Sequence, residues 1–449
     1  MSKNDKTKIG MISLGCPKNL VDSEVMLGLL SKDQYEITND QDNADVMIVN
    51  TCAFIEDSKK ESVDTILEVA ELKKTGKLKK LVVAGCLAQR YKAKLERELP
   101  EVDHFVGTGE FQNITEFVRQ TPSNTMELPV VRSKVAKPVY VYDELTPRIS
   151  TLPPHTSYIK IAEGCSRTCS FCIIPRLRGE SRSRGIDSIV AEVKNLVAKG
   201  TKEFNLIAQD LTAYGLDRDD GATLEKLLRE LVNIEGIEWI RLMYNYPMYF
   251  TDSLIELIRD SKIICNYVDM PLQHIDSDLL MSMDRKTDEN EVRSLVKKLR
   301  KMIPGITLRT SLIVGFPGET QAQFEKLKDF VREMEFDRLG VFTYSQEEGT
   351  KAAMMVNQIS EKVKKQRQEE IMILQQEISS RRNAKMIGTT MRVLVDHATK
   401  EKNLFVARSE GQALEIDGNV FVTGANLQPG SFVDVKINQS LEYDLFASA

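Results

Sequence analysis

In two blocks, residues 8–120 and 158–344, short apolar runs alternate with amphipathic stretches, and this rhythm constrains the 449-residue chain more than any other feature. Apolar runs followed by helical patterns are βα units, which build parallel sheets covered by helices. In the first block, strands are predicted at 8–14, 45–50 and 80–84, with helical patterns near 22–30 and 57–73 between them. Loops that follow the strands of a parallel sheet share one edge, where ligands bind. Each of these runs ends at a cysteine: GMISLGC, VMIVNTC and LVVAGC close on Cys16, Cys52 and Cys86. Topology alone can therefore gather three residues that are distant in sequence.

A second block repeats the rhythm. Strands are predicted at 158–162, 203–208, 239–243, 266–270, 307–314 and 339–344. Helical patterns fall at 186–198, 224–233, 252–259, 289–302 and 321–334, and Thr320 with Gln323 has the spacing of a capping box. Six βα units predict a partial barrel rather than a closed eight-stranded one. Residues 360–385 read as one long charged helix. The runs MRVLVDHA, NLFVAR, VFVTG and SFVDVKI follow, broken at Asp417-Gly418 and Pro429-Gly430, and predict a small five-stranded barrel. Residues 121–156 hold six of the fourteen prolines and read as an extended linker. The predicted fold is α/β: a parallel-sheet domain at 7–122, a proline-rich linker at 123–150, a partial (βα)6 barrel at 151–381 and a small all-β barrel at 382–449.

An apolar content of 42% and a charged content of 28% describe a soluble globular protein. The net charge of −5 gives no electrostatic case for nucleic acid. The start, MSKNDKTKIG, is polar, and no apolar run approaches the ~18 residues of a membrane span. A cytoplasmic protein without membrane association is expected. In that compartment the seven cysteines stay reduced and serve metal binding or catalysis rather than disulfides. Cys265, in IICNYVDM, reads as a buried core thiol. The other six form two sets of three. Cys165, Cys169 and Cys172, in EGCSRTCSFC, follow the first strand of the second block, at the face where barrel active sites lie. Zinc would want a fourth Cys or His there, and His155 is ten residues upstream. Three thiolates on an iron–sulfur cluster leave one iron open to another ligand. Three separate loop cysteines can also be plain buried thiols, the alternative for Cys16, Cys52 and Cys86.

The CxxxCxxC spacing resembles the radical S-adenosylmethionine (SAM) superfamily. That resemblance implies a 4Fe-4S cluster on Cys165, Cys169 and Cys172, whose open iron chelates SAM and whose electron cleaves it to a 5′-deoxyadenosyl radical. Phe171 matches the aromatic position of the motif, against the adenine; ordinary packing around the cluster is the other reading. LIAQD (206–210) and LIVGFPGET (312–320) end the second and fifth strands and could complete a SAM site through Gln209, Gly315 and Gly318. A tight Pro-Gly turn explains 315–318 equally simply. Arg176, Arg178, Arg182 and Arg184 form a basic run, either a solvated, ion-paired face or a guide for an acidic group. His274, in PLQHIDS, reads as a satisfied core histidine.

The three-part order resembles the methylthiotransferase family of radical SAM enzymes, which join a cluster domain, a radical SAM domain and a TRAM β-barrel. SLGCPKNLVDSE (13–24), NLIAQDLTAYG (205–215), RLMYNYP (241–247), EIDGNVFV (415–422) and YDLFA (443–447) are similar to the branch that acts on a ribosomal protein. The QTFGCQMN-like start of the tRNA branch is absent. The resemblance implies two 4Fe-4S clusters, the second on Cys16, Cys52 and Cys86 and carrying sulfur. It implies SAM as cofactor, and as partner small-subunit ribosomal protein twelve, whose aspartate becomes 3-methylthioaspartate. A sulfur donor and an electron donor are implied too, and no residue identifies them. Independently of the resemblance, residues 387–449 carry five basic and eight acidic side chains, a net charge near −3 that argues against tRNA as partner. A tRNA adenosine methylthiotransferase and a non-enzymatic iron–sulfur sensor or carrier stay open as alternatives.

Overall fold

The computed structural model describes residues 6–119 and 133–449, apart from 34, 75 and 77. It divides into two compact units: Met1–Thr151 with Ala162–Arg167 and Cys172–Ile189, and Leu152–Ile161 with Thr168–Phe171 and Val190–Ala449.

The first unit is built on a parallel sheet of order β2-β1-β3-β4-β5-β6. Its strands are β1 (Lys8–Ser13), β2 (Glu36–Ile37), β3 (Val46–Thr51), β4 (Lys80–Gly85), β5 (His104–Val106) and β6 (Ser133–Lys134). Strands β3 and β4 are buried along their whole length, because helices cover both faces of such a sheet. Met47, Val49, Leu81 and Val83 pack there with Ile66 and Val69 of the helix Glu56–Lys74. The helix Pro17–Lys32 begins well before the predicted 22–30, because Pro17 suits the first helical position. Strands β2, β5 and β6 are too short to show a period in sequence. Strand β6 falls in the stretch read as linker and pairs with β5, Ser133 opposite Phe105. Linker residues 123–132 lie outside the described residues.

The second unit opens with β7 (Thr156–Lys160). The chain then contributes an antiparallel ribbon to the first unit, β8 (Ala162–Glu163) with β9 (Arg182–Ser183). The sheet of the second unit continues with β10 (Glu203–Ile207), β11 (Trp239–Leu242), β12 (Ile264–Asp269), β13 (Thr307–Val314) and β14 (Arg338–Thr343). All six strands are parallel and lie in chain order, the open partial barrel expected. The capping box at Thr320 and Gln323 is present, and Asp288 with Glu291 forms another. One helix spans Glu361–Ala384.

The last five strands, β15 (Thr390–Ala398), β16 (Leu404–Ser409), β17 (Val420–Thr423), β18 (Phe432–Ser440) and β19 (Leu445–Ser448), close into a barrel of order β15-β16-β17-β19-β18. Val393, Ala407, Val420, Val422, Val435 and Ile437 fill it. Buried charges dock this barrel on the amino ends of β7 and β10. Arg408 bonds Glu203 Oε1 and Oε2 at 2.9 and 2.7 Å and Asp396 Oδ2 at 2.7 Å, and His155 Nε2 meets Asp396 Oδ1 at 3.2 Å. Trp239 packs edge-on against Phe432, ring centroids 4.8 Å apart. The small barrel therefore sits at the opposite end of the sheet from the loops that follow β7, β10 and β13.

Candidate metal centre

In the first unit, the sheet order puts β1, β3 and β4 side by side, and a cysteine follows the carboxyl end of each. Register holds those ends level: Ser13 opposes Asn50, Asn50 opposes Ala84 and Thr51 opposes Gly85. Cys16 caps the helix Pro17–Lys32, with no cap bond from its thiol. Cys86 is the first residue of the helix Cys86–Glu98. Cys52 sits between them, its N–H donated to Ser62 Oγ at 3.1 Å and its carbonyl accepting from the same hydroxyl at 2.9 Å. Buried amides brace the loops. Asn19 Nδ2 donates to Leu14 O and Thr51 O, both at 2.9 Å, and Asn50 Nδ2 donates to Asn19 O and Ser23 Oγ, both at 2.9 Å. Gly85, immediately before Cys86, has φ +95°, and a Cβ there would lie 2.3 Å from Asn50 Oδ1. Only glycine allows that approach.

Burial pushes the Cys86 thiol up to about 12, against the pull of the Arg178 guanidinium. Burial raises Cys52 as well, and the neighbouring Cys16 adds to the rise. Metal binding would relieve this cost, because a coordinating thiol is deprotonated outright.

Cys165 and Cys172 also belong to the first unit, and Cys169 to the second. Gly164, before Cys165, has φ +81°, and a Cβ there would meet Glu180 O at 2.1 Å. Cys165 N–H donates to Gly179 O at 3.0 Å, beside the ribbon of β8 and β9. In the second unit, Ser170 is held by Met283 O and Ser282 O at 2.9 and 2.8 Å, and Arg285 Nη1 donates to Cys169 Sγ at 3.7 Å. Phe171 packs with Leu279, Met283, Phe316, Tyr344 and Ala352. Gln209 follows β10, and Gly315 and Gly318 follow β13, at the same edge of that sheet. Gly315 N–H donates to the buried Glu319 carboxylate, which also accepts from Arg367 Nη1 at 2.8 Å. Sequence reasoning missed Glu319 and Arg367, although Glu319 lies inside the quoted LIVGFPGET.

All seven cysteines are free thiols. Among the described residues no three His, Cys, Asp or Glu side chains converge as ligands of a single ion. A multi-iron cluster spreads its ligands farther apart than one ion does. Cys265 is buried, as expected, and lies in β12. His274 is a satisfied core histidine: Nδ1 accepts from Asp276 N at 3.0 Å and Nε2 lies 3.4 Å from Glu319 Oε1. The basic run divides. Arg176 is exposed, Arg184 stacks 4.3 Å over the Tyr142 ring, and Arg178 is buried among Asn19, Asp22 and Glu163.

Three family models match the chain: the uncharacterized protein family UPF0004 over residues 8–107, the radical SAM superfamily over 159–331 and the TRAM domain over 387–449. A protein of Pelobacter propionicus named ribosomal protein uS12 methylthiotransferase RimO is 50% identical over 446 residues, 99% of this chain and 98% of its own length. The protein of that name from Syntrophotalea carbinolica is 52% identical over 442 residues, 98% of this chain and 96% of its own. The fold is similar to the radical SAM methyltransferase TsrM of Kitasatospora setae, solved with cobalamin and a 4Fe-4S cluster. There the TM-score is 0.54 at 16% identity, over 75% of this chain and 72% of that one.

Proposed function

This chain belongs to the RimO family of ribosomal protein uS12 methylthiotransferases, and from that membership we propose that it places a methylthio group on the β-carbon of an aspartate of protein uS12, giving 3-methylthioaspartate. The observation that carries the reading is the level row of Cys16, Cys52 and Cys86 at one sheet edge, in a chain that also carries CxxxCxxC. One three-thiol site suffices for radical chemistry; a second supports the delivery of sulfur.

The residues fit two 4Fe-4S clusters. Six of the free thiols fall in two sets of three, and three thiolates on a 4Fe-4S cluster would leave one iron for another ligand. Cys165, Cys169 and Cys172 would hold the cluster that binds SAM, with Phe171, Gln209, Gly315 and Gly318 lining the SAM molecule. Cys16, Cys52 and Cys86 would hold the cluster that carries the sulfur. When bound, these cofactors supply the radical and sulfur chemistry; the protein supplies position and shelter. Bracing by Asn19, Asn50 and Ser62 keeps the thiols in place before anything binds, which spares that ordering cost later.

The small barrel supports a protein substrate. Of its five basic side chains, Arg408 is buried in the dock and Arg392 pairs with Glu238 at 2.7 Å. What remains is a poor grip for RNA phosphates. Among the described residues no helix is long and apolar enough to cross a membrane. The relatives are named for acting on a ribosomal protein, and on that ground we place this protein where ribosomes are, in the cytoplasm.

The test is an anaerobic assay of reconstituted protein with SAM, sulfide, a strong reductant and a peptide bearing the target aspartate of uS12. Mass spectrometry is expected to show a methylthio group in place of one hydrogen on that aspartate. Release of 5′-deoxyadenosine with an unmodified peptide, but a modified adenosine in added tRNA, would overturn the substrate assignment.

A further inference from the structure

Arg285 lies in the turn between the helices Ser277–Ser282 and Glu289–Met302 and is 9% exposed. Its guanidinium is placed by partners within the second unit. Nη1 donates to Cys169 Sγ at 3.7 Å, Nη2 donates to Pro271 O at 2.7 Å, and the group lies 4.1 Å from the centroid of the Tyr246 ring. The Tyr246 hydroxyl accepts from Lys286 N–H at 2.9 Å, which pins the backbone beside Arg285 to the same ring. The turn also holds the cysteine loop: Ser170 bonds the carbonyls of Ser282 and Met283. Pro271 and Tyr246 therefore aim one end of the guanidinium fork at the sulfur of Cys169.

What this guanidinium lacks is a carboxylate. The other buried arginines of the unit are paired: Arg241 with Glu203, Arg367 with Glu319, and Arg408 with Glu203 and Asp396. Among the described residues no Asp or Glu forms a salt bridge with Arg285, and its buried Nε has no hydrogen-bond partner. The adjacent Asp284 is engaged by Lys286 and Lys351, at 2.5 and 3.3 Å. A buried charge left without a counter-charge is costly. Besides a carbonyl, the atom this fork reaches is the Cys169 sulfur, and a thiolate on an iron–sulfur cluster would supply the missing negative charge. Hydrogen bonds to the sulfurs and local net charge set a cluster's reduction potential. Reduction adds an electron, so a cation at a ligand sulfur favours the reduced form and raises the potential. No paired carboxylate offsets the charge of Arg285, which fixes the sign.

We propose that Arg285 is a positioning residue of the CxxxCxxC site: it orients Cys169 and supplies the counter-charge that raises the reduction potential of the cluster held there. The proposal rests on the reading of Cys165, Cys169 and Cys172 as cluster ligands.

The test uses the full chain with Cys16, Cys52 and Cys86 replaced by alanine, so that only the CxxxCxxC site binds iron. Bound iron and sulfide are counted, and the midpoint potential is read by electron paramagnetic resonance in a redox titration without SAM. Arg285→Gln should keep its iron while the potential falls by a tenfold or larger shift in the one-electron equilibrium, about 59 mV. Arg285→Lys, which keeps the charge, should show less than half of that fall. If Arg285→Gln loses iron, Arg285→Met, which fills the space without charge, is read in its place. Full iron with a smaller fall in the uncharged variant would make Arg285 a packing residue and overturn the proposal. A fall in Arg285→Lys of half that size or more would overturn the charge role. Loss of iron from both uncharged variants, with iron kept by Arg285→Lys, would bear out the counter-charge through binding, whereas loss from all three would overturn it. A parent that binds no iron would refute the ligand reading itself, before any Arg285 variant is made.

Discussion

The two cysteine sets are built in opposite ways. Cys165, Cys169 and Cys172 come from one loop after β7, whereas Cys16, Cys52 and Cys86 come from the ends of three neighbouring strands. The first set depends on local backbone. The second depends on the register of a whole sheet and on buried amides that brace it. A perturbation of strand ends should therefore injure the dispersed set alone, and a perturbation of the ribbon should injure the local one.

The sharpest way to break this comparison is at the glycine before each set. Gly164→Ala drives a Cβ to 2.1 Å from Glu180 O, at φ +81°. It should cut SAM cleavage roughly 100-fold, the scale of a misplaced reacting group. The rate of 5′-deoxyadenosine release checks this. Gly85→Ala drives a Cβ to 2.3 Å from Asn50 Oδ1 and 2.6 Å from Thr51 O. It should lower bound iron by about half and stop methylthio transfer, yet leave SAM cleavage within about twofold, because the nearest atoms that Cβ meets belong to Asn50 and Thr51 and none to the CxxxCxxC loop. Iron analysis and the cleavage assay together separate these outcomes.

Much of this was legible in the sequence. All six strands of the second unit's parallel sheet lie within two residues of the predicted runs, and β13 coincides with 307–314. Long apolar runs between helical patterns leave few alternatives. Apart from the resemblance that SLGCPKNLVDSE carries, the dispersed set was legible through topology: the three segments become neighbours once the sheet is parallel. Arg178 was not legible. In sequence it is one arginine among four, and its partners Asp22 and Glu163 lie in separate segments. Burial of a charge is decided by distant residues, which a local pattern cannot reveal. Strand β6 was hidden for another reason, since two residues carry no period.

A smaller effect is expected where the molecule is remote from both sets. Burial alone would raise the Glu203 pKa, but the charges of Arg408 and Arg241 overcome it and hold the carboxyl at about 2. A lowered folded pKa gives stability that is complete above the ordinary carboxylate range, about 4.3, and is lost as pH falls toward the folded value. The barrel contact should therefore be unchanged between about pH 7 and 5 and loosen below about pH 4. Fluorescence of Trp239, the single tryptophan, reports on it through the Phe432 contact. A transition already complete at pH 5 would contradict the Glu203–Arg408 account. The smallest effect belongs to Cys265→Ala. It should keep all iron and cost about 1 kcal/mol in a urea melt, the scale of one buried methylene. Loss of iron there would place a seventh thiol in the chemistry.

The central claim is that the two sets do different work, and one paired measurement tests it. Cys169→Ala and Cys16→Ala are reconstituted side by side, and 5′-deoxyadenosine release and peptide methylthiolation are measured on each. The account predicts that Cys169→Ala loses both, while Cys16→Ala still cleaves SAM and transfers no methylthio group. Methylthio transfer by Cys16→Ala, or SAM cleavage by Cys169→Ala, would contradict it.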